Sequence, residues 1–113
     1  PSRNEAMSIV VLEAGLAGTP VLITDQCGFP GVEDVDGGLV VSATVDGLMD
    51  GMRTLLSDAD ELPSKGRRLR TLVLDQYTWK SVVTPLETMY RSILDEHQSI
   101  ETAAYSNELD AKL

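Results

Sequence analysis

Two short apolar runs set the terms for any fold this chain can adopt. VLIT at 21–24 and LVVS at 39–42 read as buried strands, of the kind found in parallel sheets flanked by helices. Two such strands do not make a stable parallel sheet by themselves. Further strands are expected from residues before Pro1, or from another copy of the chain by strand pairing or exchange in a homodimer. The chain opens at Pro1-Ser2 without an initiator Met and so reads as a fragment. The fold class expected is α/β, the back half of a larger domain.

Helical patterns surround the strand pair. From Ala6 to Ala17 the chain is apolar almost all round, with Met7, Ile9, Val10, Val11, Leu12 and Leu16, the mark of a buried helix. Gly18 stops it and Pro20 follows. The segment DQCGFPGVEDVDGG is rich in Gly, Asp and Pro and is expected to be loop. A second helix is predicted over Val45–Ser57, capped by Thr44 or Asp46, with Leu48, Met49, Met52, Leu55 and Leu56 on one face and both methionines as core filler. A third starts near Pro63 and carries Leu69, Leu72 and Val73. The fourth repeats Trp79, Val82, Val83, Leu86, Met89, Tyr90, Ile93 and Leu94 at helical spacing, with Trp79 as a core anchor and Thr78 as N-cap. Pro85 should kink it or delay its start. Beyond Glu96 the sequence is polar and weakly patterned, either frayed helix or disordered.

Composition narrows the class. A chain of 113 residues is one domain at most, and 4% aromatic content leaves an aliphatic core. Its net charge of −9 argues against nucleic acid or an anionic membrane surface as partner. The single cysteine, Cys27, rules out an internal disulfide, fits a reducing compartment and reads as an incidental thiol. Glu13, Gly15 and Gly18 interrupt the one candidate for a membrane span. There is no signal-peptide pattern. His97 has no acid–base partner or metal pattern around it and is expected in solvent. Lys65-Gly66-Arg67-Arg68 with Arg70 reads as a solvated helix face, with a phosphate or membrane contact as the alternative.

Two carboxylates on the greasy first helix ask for an explanation. Glu5 and Glu13 stand eight positions apart, and an unpaired buried carboxylate is costly. If both were helical they would lie roughly 12 Å apart along the axis and about 80° apart around it. That suits a long ligand across the helix N-terminus better than a single metal ion. Helix N-termini favour phosphate, and carboxylates accept hydrogen bonds from sugar and ribose hydroxyls. A nucleotide diphosphate sugar answers all three features. From spacing alone, two surface glutamates flanking a core helix would serve as well.

Residues 1 to about 95 resemble the donor-binding domain of retaining family-4 glycosyltransferases, which have the two-domain GT-B architecture. The resemblance rests on Pro1-Ser2, the pair Glu5/Glu13, Glu13-Ala14, Gly18-Thr19-Pro20-Val21, Gly28 with Pro30, Gly37-Gly38-Leu39-Val40, LLSD at 55–58 and YTW at 77–79. It departs at Met7-Ser8, where the family has an aromatic and a glycine, and at Gly31, where it has Glu. The fold it implies is a partial Rossmann-like half-domain over 1–95, with a helical or disordered tail over 96–113. Glu5, in the loop before the helix, would contact the donor hexose as the catalytic carboxylate. Backbone N–H groups around Ala6, Met7, Ser8 and Ile9 would face the sugar and diphosphate, and Glu13 would hold the ribose diol. The donor would be a UDP-, GDP- or ADP-sugar, used without metal or other cofactor. The acceptor-binding N-terminal domain would lie upstream, so the isolated chain is expected to catalyse nothing. The full protein would be cytoplasmic, or at the inner face of the membrane. The alternative from another class is a non-catalytic acidic α/β interaction module derived from the same fold.

Overall fold

The computed structural model describes residues 4–110, with side chains as far as position 100. The Pro1-Ser2 part of the motif and the last three residues of the tail lie outside the described residues. The elements run α1 (Ile9–Leu16), β1 (Val21–Thr24), α2 (Gly31–Asp34), β2 (Gly38–Val41), α3 (Val45–Ser57), a 3-10 turn (Ala59–Glu61), α4 (Leu62–Gln76) and α5 (Trp79–Asp110). They form two compact units, the first ending at Thr78 and the second beginning at Trp79.

The first unit is α/β, as the apolar runs require. β1 and β2 pair in parallel, with Val21 opposite Gly38 and Ile23 opposite Val40. The second strand sits one residue earlier than predicted. Ile23 faces a core of Val11, Cys27, Phe29, Val32, Leu69 and Leu72, so α1 and α4 cover that side. Gly51 of α3 lies against Leu22 and Val41, where an added Cβ would come within 2.6 and 2.9 Å of their side chains. The sheet is therefore covered by α1 and α4 on one face and α3 on the other. Thr44 caps α3 as expected, accepting a 3.0 Å hydrogen bond from the Gly47 N–H. Pro63 lies in the first turn of α4, which buries Leu69, Leu72 and Val73.

Several expectations are corrected. The loop between the strands contains the four-residue α2, because Pro30 holds φ at −65° and Val32 is drawn fully into the core. α1 begins at Ile9 rather than Ala6, and it is not buried all round. Only Val11 and Gly15 are buried, while Ile9 and Val10 are 67% and 69% exposed. On α3, Met49 and Met52 are exposed rather than core filler. The cause is common to both helices: two strands offer a sheet narrower than the apolar faces laid on it. Cys27 is buried in the core at 3% exposure, its Sγ 3.6 Å from Thr24 Oγ1.

The basic run is also more than a solvated face. Arg68 Nη2 reaches Asp36 Oδ2 at 2.6 Å and its Nε donates to the Asp36 carbonyl at 3.2 Å, while Lys65 Nζ bonds Asp36 Oδ1. Asp36 closes the turn before β2 in the left-handed region, at φ 49°. The Lys65 hydrogen bond, opposed by partial desolvation and helped by the charges of Lys65 and Arg68, holds its carboxyl below the ordinary range.

The second unit is the single helix α5, which runs through Pro85 without a delayed start and continues to Asp110. Trp79 is 85% exposed, not a core anchor, since a lone helix has no core of its own. Among the described residues no helix is long and apolar enough to cross a membrane.

Candidate functional site

The segment before α1 carries Glu5, and it is held by the loop that follows β1. The Glu5 N–H donates to the Gln26 carbonyl at 3.0 Å. Gly28 adopts φ +61°, and a Cβ there would come within 2.6 Å of the Glu5 carbonyl oxygen and closer still to that of Ala6. Only glycine combines that dihedral with so close an approach. Phe29, next in the chain, is buried and stacks obliquely on Tyr77 with centroids 5.1 Å apart. The loop is thus anchored in the core on one side and supports the Glu5 segment on the other. Both segments stand at the carboxyl end of β1, where open parallel sheets bind ligands.

A cleft of about 280 Å³ runs from there back along β1, lined by Glu5, Ser8, Val10, Val11, Val21, Leu22, Ile23 and Cys27. Its size approaches that of small-molecule sites. The N-terminus of α1 forms one wall. Ser8 precedes the helix in extended conformation (φ −85°, ψ 107°), its side chain caps nothing, and the first turn holds no acidic residue. The Val11 N–H is taken by the Ser8 carbonyl at 3.1 Å, whereas those of Ile9 and Val10 have no acceptor within the helix. The positive end of α1 is therefore left without an anion of its own, an arrangement that accepts phosphate.

Of the residues predicted for the site, Glu5 and Ser8 line this cleft together. Ala6 and Met7 lie between them in the same segment, both exposed, and Ile9 opens the helix with an exposed side chain. Glu13 is exposed on the second turn of α1 and does not line the cleft. It neighbours Val10, three residues back on the helix surface. The separation calculated for two helical glutamates does not apply, because Glu5 precedes the helix by four residues.

Sequence reasoning missed Gln26 and Cys27 as supports of this wall, and quoted Gly28 only as part of the motif. The signal was the Gly-x-Pro turn at 28–30, which reads equally well as a plain turn. A second cleft of about 230 Å³, lined by Asp25, Gly28, Pro30 and Glu33 among others, lies beside the same loop. No three of His, Cys, Asp and Glu come together as metal ligands among the described residues.

A family model described as Glycosyl transferases group 1 matches residues 1–58. The chain is 35% identical over 92 residues to a D-inositol 3-phosphate glycosyltransferase of Corynebacterium aurimucosum, covering 80% of this chain and 22% of that protein. A glycogen synthase of Mycobacterium tuberculosis is 32% identical over 93 residues, 80% of this chain and 22% of that protein. A GDP-mannose-dependent alpha-(1-6)-phosphatidylinositol monomannoside mannosyltransferase of Mycobacterium tuberculosis is 35% identical over 89 residues, 77% and 23% respectively. The chain thus spans under a quarter of the length of these relatives. No solved structure matches it.

Proposed function

Because the chain belongs to the group 1 glycosyl transferases, we propose that it is the C-terminal, donor-binding portion of an enzyme that transfers a hexosyl group from a nucleotide-diphosphate sugar to an acceptor hydroxyl. The bond between the anomeric carbon and the diphosphate oxygen breaks, the acceptor oxygen bonds that carbon with retention of configuration, and the acceptor proton leaves with the diphosphate or to solvent. Glu5 meets the hexose and favours the positive charge that builds at the anomeric carbon. The N–H groups opening α1 receive the diphosphate, and Glu13 holds the ribose diol. The reaction runs without a metal.

The observation that carries this reading is the cleft itself. It joins the Glu5 carboxylate to an uncapped helix N-terminus over a glycine-supported loop. One relative is a GDP-mannose-dependent mannosyltransferase, which supports a nucleotide-sugar donor. The acceptor-binding domain then belongs to the rest of a longer protein, and the 113 residues alone transfer nothing. The test is calorimetric titration of the whole protein with UDP-, GDP- and ADP-sugars, beside Glu5→Ala and Glu13→Ala. Each variant should weaken donor binding about tenfold or more. Unchanged affinity in both would sink the assignment.

A further inference from the structure

Ser8 stands where the resembling family places glycine, and its surroundings do not explain a hydroxyl. The residue is 6% exposed. A serine in the N-cap position ordinarily accepts a hydrogen bond from the second or third N–H of the helix. Here the side chain makes no such bond, and it is the backbone carbonyl of Ser8 that receives the Val11 N–H. A buried hydroxyl without a partner is unfavourable. Among the described residues, however, no side-chain polar atom is both sealed from solvent and without a partner. The Ser8 oxygen therefore opens into the cleft that the residue lines.

We propose that the Ser8 hydroxyl is a ligand-binding group, donating a hydrogen bond to an anionic phosphate oxygen of the donor beside the N–H groups of Ile9 and Val10. The inference rests on the donor-binding reading above and adds to it a side-chain contact on the diphosphate. Its chemistry is that of a neutral donor placed at a helix terminus, where hydroxyl and amide donors converge on one anion. Glu5, on the same cleft, repels the diphosphate and favours the uncharged sugar end beside it. The cleft is thereby polarised, with hexose near the carboxylate and phosphate near Ser8.

The test is calorimetry on the whole protein with the nucleoside diphosphates UDP, GDP and ADP, and with the matching free nucleosides, for Ser8→Ala and Ser8→Gly. Loss of one hydrogen bond to a charged group should weaken nucleoside diphosphate binding about tenfold in both variants. Nucleoside binding should not change, which also shows that the variants fold. Unchanged diphosphate affinity overturns the proposal. So does a parallel loss of nucleoside and diphosphate, because that marks a structural role. If Glu5→Ala and Glu13→Ala weaken binding and the Ser8 variants do not, the Ser8 contact alone falls. If the wild type binds no nucleoside diphosphate, the donor reading falls and takes the Ser8 contact with it.

Discussion

Gly66 and Gly28 use one device at opposite ends of β1, to different purposes. Gly66 of α4 lies directly on the Gly18 carbonyl, in the turn between α1 and β1. Gly28 lies on the carbonyls of Glu5 and Ala6, beyond the other end of the strand. In each case backbone meets backbone with no room for a Cβ. The first contact joins the helices that build the core, for α1 and α4 meet again where Gly15 faces Val73 and Leu69. The second joins two loops, and what it positions is a carboxylate. The same close approach ties core-bearing helices together at one end of the strand and sets a polar group over a cleft at the other.

Gly66→Ala should cost about 3 kcal/mol or more, since the Gly18 carbonyl or the whole of α4 has to move. The urea midpoint followed by circular dichroism should fall accordingly, and any ligand binding with it. A midpoint within error of wild type would show that the helix contact is slack.

Gly28→Ala should separate the two roles. Strain at positive φ and the displaced Glu5 segment should cost about 1–2 kcal/mol of stability, while nucleotide-sugar affinity falls about tenfold in the protein that remains folded. Affinity unchanged in a destabilised variant would make Gly28 a structural residue like Gly66. Cys27→Ala removes one buried sulfur from beneath the same cleft. It should cost about 1 kcal/mol by the same chemical denaturation.

The smallest effect belongs to Asp36, whose grip on Lys65 and Arg68 links the turn before β2 to α4. Its folded-state carboxyl titrates below the ordinary value of about 3.9, so its contribution is full above that value and is lost as pH falls through the folded one. The side chain is 59% exposed, so the contribution is under about 1 kcal/mol. Asp36→Asn should thus lose slightly at pH 7 and less once the pH has fallen below the folded-state value. An equal deficit at both values would assign the loss to the turn instead of the charges.

How much of this was legible in the sequence depends on the range of the interaction. β1, the start of α4 and the Thr44 cap are local matters of pattern and terminal residues, and they fall where sequence places them. The carboxylate Glu5 and the helix it precedes were legible through motif spacing. Gly28 on Glu5 and Asp36 on Lys65 and Arg68 join segments separated by more than twenty residues, and no periodicity reports them. Burial was the least legible property. Apolar spacing says that Ile9, Val10, Met49 and Met52 want cover, but not whether the sheet is wide enough to give it. Ser8 was legible only as a departure from the family's glycine, because residue type alone does not say that it lines a cleft.

The exposure of Trp79 has a practical side. It is the protein's one tryptophan and stands 85% in water. An indole already in water has little further to shift in colour on unfolding, so a flat emission trace would signal a badly placed dye, not a stable fold. Tyr77, stacked on Phe29, is the native chromophore that the melting of that core would release.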